Sequence, residues 1–313
     1  VIAHANAAPI AVNLQYVRLR ARDPTALADE NSPDPLATVD PTKIPALDVT
    51  INQLFQGQDL VGAWRLKVRP TAKGIAFNSL DLGLKGILLQ GSGGWEGIPG
   101  NSSSWYKGRV SGKNLADVLK GWGFAPSVTS EEFHMNVDGR WPGSPAWLAT
   151  KRFSGSLDAS LKKGQFVEVE GSAQALRVFG LLNFNSIGRR LRLDFSDLFG
   201  KGLSYDRVKG LLVASNGVYV TREPILMTGP SSNVELNGTL DMVGDQIDAK
   251  LLVTLPVTNN LPIAALIVGA PAVGGALFLI DKLIGDRVAR FASVKYTVKG
   301  PWKEPKITFD KPF

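Results

Sequence analysis

Cysteine is absent from the 313 residues. That excludes a disulfide framework and thiolate chemistry, and it leaves the compartment undecided. Histidine occurs only as His4 and His134, far apart in sequence. Two such residues give no basis for a multi-histidine metal centre, and nothing in the chain implies a metal or a cofactor. The P-loop, the G-x-S-x-G elbow and H-E-x-x-H are all missing. Glu131 and Glu132 are adjacent on an expected strand, so their side chains face opposite ways and make a poor carboxylate dyad. An enzyme is not expected.

Charge is also sparse. Charged residues make up 20% of the chain and hydrophobic residues 44%, a balance that folds rather than stays disordered. The net charge is +7. That suits anionic headgroups or nucleic acid, but the basic residues are spread along strand faces and no reader motif occurs, so nucleic acid is disfavoured. The chain starts at Val1 without a methionine or a signal peptide. It reads as a fragment or processed product, with any anchor or export signal upstream.

What the chain does have is alternation. Leu47, Val49 and Ile51, then Trp64, Leu66 and Val68, then Leu80, Leu82 and Leu84 alternate with polar residues. Each run predicts a half-buried strand, and short links between them predict an antiparallel meander. Asp23 to Lys43 reads as a loop, as does the Gly/Ser-rich stretch Gly91 to Ser104 around Trp95. The GSGGWEG within it is not a dinucleotide fingerprint, because the third glycine is displaced. Leu115, Val118, Leu119 and Trp122 mark a short helix with Asn114 as N-cap. Phe133, Met135 and Val137 continue the strands and put His134 on the wet face. A hairpin is expected about Lys162-Lys163-Gly164, a helix over Gln174 to Phe184, and a strand through Leu191, Leu193 and Phe195. Further hairpins turn at Ser215-Asn216-Gly217 and near Gly244-Asp245. Val294, Tyr296 and Val298, then Ile307 and Phe309, close the series.

One stretch interrupts the pattern. Leu261 to Ile280 is twenty residues without a charge. About twenty helical residues would cross a bilayer core. Pro262, Pro271, Gly269, Gly274 and Gly275 argue against one straight helix. The expectation is a bent hairpin of apolar helices, continued by a stripe at Ile280, Ile284, Val288 and Phe291. It reads either as a buried core element or as a membrane contact or plug over residues 261–291, formed by Leu261, Ile263, Leu266, Ile267, Val268, Leu277, Phe278, Leu279, Ile280, Ile284, Val288 and Phe291.

The fold class expected is mainly β with short helices. Two segments are expected: 1–150, with the short helix near 113–122, and 151–313. The later one carries specific motifs: GSLDASLKKGQFVEVE (Gly155 to Glu170), ALRVFGLLNFNSIGRRLRLDFSDLFGKGLSYD (Ala175 to Asp206) and VKYTVKGPWKEPKI (Val294 to Ile307). In order and spacing these resemble the C-terminal region of the AsmA-like superfamily, specifically the YhdP-type proteins of Gram-negative bacteria. The resemblance covers roughly half of the chain, and none of its motifs is a catalytic signature.

The resemblance implies a long curved antiparallel sheet in the periplasm with a hydrophobic inner groove, in which 1–150 is a β-sheet segment of the groove and 151–313 a C-terminal AsmA-like domain capped by the apolar helical hairpin over 261–291. It implies phospholipid carried between the inner and outer membranes, an inner-membrane anchor in the upstream part of the same chain, and an outer-membrane-proximal position for this segment, near that membrane or a partner associated with it. The wall candidates are Leu191, Leu193, Phe195, Val218, Val220, Leu236, Leu240, Leu251, Val253, Leu255, Tyr296 and Val298. Arg189, Arg190 and Arg192 are candidates for phosphate headgroups, since guanidinium forks suit phosphate oxygens. The same residues also read as the closed core and solvated face of a structural envelope module without lipid. An outer-membrane barrel is a third reading, disfavoured by only five tyrosines and by the expected helices.

Overall fold

The computed structural model describes residues 8–21, 32–124, 126–167, 202–230, 232–257, 278–284, 287–302 and 305–309. Fifteen strands lie among them. They are β1 (Ile10–Leu19), β2 (Leu47–Gln56), β3 (Asp59–Thr71), β4 (Gly74–Leu84), β5 (Ile87–Ile98), β6 (Asn101–Gly112), β7 (Glu132–Pro142) and β8 (Ser154–Val167), then β9 (Gly202–Ser215), β10 (Val218–Thr228), β11 (Asn233–Asp241), β12 (Gln246–Val257), β13 (Phe278–Ile284), β14 (Arg287–Pro301) and β15 (Lys306–Phe309). Their hydrogen-bonded order follows the sequence from β1 to β12, then β14 and β13, with β15 on β14. The mainly-β expectation holds. The helix α1 (Leu115–Gly121) also forms where its stripe predicted, and the Asn114 side chain accepts from the Ala116 N–H at 3.2 Å. Val118 and Leu119 are buried, while Trp122 is left exposed.

The chain divides into two compact units. The first comprises Val1–Lys113, His134–Leu157 and Ala214–Gly217; the second comprises Asn114–Phe133, Asp158–Val213 and Val218–Phe313. In the first, β2 through β6 pair antiparallel as successive hairpins. The expected meander forms here, and ahead of it β1 pairs β2 in parallel. A parallel pair needs a long crossover, and the run from Arg20 to Ala46 supplies one. Register shifts fall between Ile51 and Leu54, Lys67 and Val68, and Phe77 and Leu80. Such irregularities bend a strand locally.

In the second unit β10, β11, β12, β14 and β13 form an antiparallel ladder. Asn216 and Gly217 turn β9 into β10, both at positive φ (46° and 80°), which is the two-residue hairpin geometry their identities predict. Asp245 likewise sits at φ 53° in the turn between β11 and β12.

Three sequence expectations are corrected. The Gly/Ser stretch around Trp95 is strand, not loop: β5 and β6 pair from Ile87↔Gly112 to Ile98↔Asn101. Its glycines are small for a packing reason, since a Cβ on Gly94 would strike the Trp105 indole. Lys162-Lys163-Gly164 is no turn either. It lies inside the continuous β8, where the Glu131 N–H donates to the carbonyls of both Lys162 and Lys163 at 2.9 Å and Lys163 takes φ 42°. Two residues opposing one is a β-bulge.

The third correction concerns the apolar stretch. From Phe278 onward it is a β-hairpin rather than helix, with Ile280 opposite Phe291 and Ile284 opposite Arg287. This register splits the supposed helical stripe. Ile280, Ile284 and Phe291 fall on one side of the ladder, and Val288, opposite Leu283, on the other. Two residues, Gly285 and Asp286, separate Ile284 from Arg287, a hairpin-turn composition that a spacing of +4, +4, +3 conceals. Leu261, Ile263, Leu266, Ile267, Val268 and Leu277 lie outside the described residues. So do Leu191, Leu193, Phe195, Arg189, Arg190, Arg192 and the helix expected over 174–184.

Candidate functional site

Strand register decides which side chains share a face, because a slip of one residue reverses every one of them. In the second unit, Leu236 is opposite Leu251 and Leu251 opposite Tyr296. Val234, Val253 and Val294 form a parallel row, and Leu240 lies opposite Ile247. Ala249 is opposite Val298. Six wall candidates, Leu236, Leu240, Leu251, Val253, Tyr296 and Val298, are thereby brought onto one face, and Leu255 continues the same register opposite Ala292.

Val218 and Val220 do not join them. They are opposite Asp241 and Thr239, and it is Tyr219 that meets Leu240. Tyr219 is 3% exposed and Val220 44%. The register of β10 on β11 decides this, and alternation within the strand does not reveal it. Sequence reasoning therefore missed Tyr219, Met227, Ile247 and Ala249, all buried.

This second face is closed. Val253 and Val298 are 0% exposed and Tyr296 is 1% exposed. Beside it, the Tyr205 hydroxyl donates to the Thr129 carbonyl at 2.5 Å, and the Tyr205 ring lies 5.3 Å from that of Phe166. Burial pushes the Tyr205 hydroxyl well above its ordinary titration range.

The first unit carries a second apolar face. Here the three predicted strand sets coincide: Leu47 pairs Val68, Val49 pairs Leu66 and Ile51 pairs Trp64, while Leu66 pairs Leu80 and Trp64 pairs Leu82. Leu82 then meets Leu89, and Leu89 meets Val110. Leu66, Leu80, Leu82, Leu89 and Val110 are half-buried. Toward the other end of the same face, Val68, Ile75 and Trp95 are each 3% exposed, and Leu36 and Ile44 pack against them. Sequence reasoning assigned 1–150 to the groove and read these strands as half-buried, but named none of their residues as wall. Their alternation was the signal.

Several charged side chains on the exposed sides of the strands are paired. Arg69 binds Asp48 at 2.7 Å and Lys107 binds Asp138 at 2.8 Å in the first unit. Lys299 binds Asp248 at 3.0 Å in the second. Lys162 pairs with Glu132, and Lys163 with Glu131 at 3.1 Å, so the adjacent glutamates are bridged separately. Exposed pairs like these contribute little stability, so they are best read as a solvated surface. Among the described residues no group of three His, Asp or Glu could hold a metal ion. No helix among them is long and apolar enough to cross a membrane.

The described residues thus present two apolar sheet faces, and comparison with known proteins supplies the family. The chain is 25% identical over 219 residues to the intermembrane phospholipid transporter YhdP of Escherichia coli (strain K12), a match covering 70% of the chain and 17% of that relative. The chain thus matches a small part of that protein's length. No solved structure matches. The model of the YhdP protein family matches residues 1–307, so the chain belongs to that family.

Proposed function

We propose that this chain is part of a phospholipid-transfer conduit of the cell envelope, one that shelters acyl chains on an apolar sheet face between the inner and outer membranes. The observation that carries the reading is the half-buried face of the first unit, where Leu66, Leu80, Leu82, Leu89 and Val110 align through register. The similarity to an intermembrane phospholipid transporter supports phospholipid as the class of cargo. A diacyl lipid exposes about thirty methylenes at roughly 0.8 kcal/mol each, so carrying it bare through water costs on the order of 20 kcal/mol. A continuous apolar face with solvated charge behind it removes that cost. In this reading the segment lies toward the outer membrane, with the inner-membrane anchor elsewhere in its own chain, and Arg189, Arg190 and Arg192 meet phosphate groups.

A specific observation favours a second reading, a closed structural module. Val253 and Val298, both wall candidates, have no exposure at all. One experiment separates the two. Native mass spectrometry with lipid extraction is run on protein purified from bacterial envelopes, beside the Leu82→Asp variant. Co-purifying phospholipid that is lost in the variant, with circular dichroism unchanged, supports the conduit. A lipid-free protein whose Leu82→Asp variant unfolds establishes the closed module.

A further inference from the structure

Residues 32–46 run as a strap over one end of the first unit's apolar face. The strap contains a turn and a single 3-10 turn, Pro41–Lys43, and no strand. Its Leu36 and Ile44 side chains rest on Val68, Ile75 and Trp95. The only polar side-chain atom of that cluster, the Trp95 indole nitrogen, is already committed to the Ser102 hydroxyl at 2.9 Å. The cluster therefore offers a dry alkyl-binding surface. The groups that now fill it are short branched alkyl chains.

The strap is fastened by polar contacts near its start and at a turn of the sheet. The Ser32 carbonyl accepts from the Trp147 indole at 2.8 Å, and Asp34 accepts from the Ser144 hydroxyl and N–H at 2.5 and 2.7 Å. The Ala37 carbonyl accepts from the Gly100 N–H at 2.7 Å. Between these fastenings and the carbonyl of Ala46, which accepts from Ile10, the strap is held by Leu36 and Ile44 on the face and by the fully buried Pro41 between them. Beyond the strap the same face continues through Leu66, Leu80 and Leu82, which stay half-buried.

We propose that the Val68–Ile75–Trp95 cluster is an acyl-chain site whose resident occupant is the strap, so that an incoming lipid chain displaces Leu36 and Ile44. The inference rests on the phospholipid reading above and adds a gate to it. Exchange replaces one alkyl group by another on an unchanged wall, so the driving force is small and the site opens only when lipid arrives. The strap's polar fastenings hold it near the face and return it when the chain moves on.

The test places the photo-crosslinking residue benzoylphenylalanine at Phe77, which packs on the cluster. The full chain is titrated with phosphatidylethanolamine vesicles, and adducts are identified by mass spectrometry. Without vesicles the adduct is to the strap. With vesicles the strap adduct falls as a phospholipid adduct rises. Truncation by Leu36→Ala with Ile44→Ala shifts that exchange toward lipid by about tenfold, because alkyl area is removed from the competitor alone. The wild-type titration stands even where the truncated variant folds poorly. A strap adduct that persists at saturating lipid, while a second probe at Leu82 captures phospholipid, overturns the gate and leaves the conduit. No phospholipid adduct at either position overturns both.

Discussion

Ser144 donates both its hydroxyl and its backbone N–H to the carboxylate of Asp34, at 2.5 and 2.7 Å, across 110 positions of sequence. Ser144 itself is fully buried. Burial opposes the Asp34 charge, but the Ser144 hydroxyl, the N–H groups of Leu36 and Ser144, and the nearby Arg152 charge outweigh it, and the carboxyl is held below its ordinary 3.8. A depressed carboxyl stabilises the fold above its unfolded value, and that contribution is lost as pH falls through the folded value. Asp34→Asn is therefore expected to cost about 1–2 kcal/mol at neutral pH, the worth of a charge-assisted hydrogen bond to a partly buried group. The gap between variant and wild type closes below pH 3.8. Urea midpoints taken across that range check it. A gap independent of pH would mean that the charge plays no part.

Two tyrosines are expected to titrate late. Burial pushes the Tyr106 hydroxyl, which donates to the Gln90 carbonyl at 2.8 Å, up to about 12, and burial raises that of Tyr205 as well. A group raised on folding adds stability that is full below its unfolded value of 10 and lost as pH climbs through the folded one. Tyrosinate absorbance should therefore rise in two stages. The late stage, above pH 10, should coincide with unfolding. Tyr205→Phe should remove part of that late stage and cost about 1–2 kcal/mol, since the Thr129 carbonyl loses its 2.5 Å partner.

Register predicts opposite outcomes for two neighbouring apolar residues. Leu251, 2% exposed between Leu236 and Tyr296, should not tolerate a carboxylate, and Leu251→Asp should abolish the cooperative thermal transition. Val220, 44% exposed opposite Thr239, should accept one within about 0.5 kcal/mol. Equal damage from both would show that β10 is out by one residue.

That contrast also marks what the sequence could tell. Period-two alternation found nearly every strand, because one dry face and one wet face leave a local trace in residue order. It found the apolar runs that hold Leu47, Leu66 and Leu82 for the same reason. It failed where a fold-level fact decides. The register of β10 on β11 decides which of Tyr219 and Val220 faces Leu240. Gly94 resembles a loop glycine until the Trp105 ring lies over it. Lys162 and Lys163 resemble a turn until Glu131 opposes both across a bulge. Composition reports what a residue tolerates, and a crowded neighbour can demand the same small or polar residue that a turn does. The strap over Val68, Ile75 and Trp95 left no trace at all, since its loop composition does not say what it covers.

The hairpin from Phe278 to Phe291 offers a test that the natural composition makes clean, because the chain has no cysteine of its own. Ile280 and Phe291 are direct partners across β13 and β14. Direct antiparallel partners have Cα atoms about 4.5–5.5 Å apart, inside the range a disulfide accepts. In a continuous helix the same two residues, eleven positions apart, would be separated by about 16 Å, and no bridge could close. The double variant Ile280→Cys with Phe291→Cys is therefore expected to oxidise to an intramolecular disulfide, read as a loss of free thiols by mass. Ile280→Cys with Val288→Cys should stay reduced, since Leu283 is the partner of Val288. If neither pair closes, the segment is not this hairpin, and the helical stripe through Ile280, Ile284, Val288 and Phe291, in which both pairs lie too far apart to bridge, returns as its description.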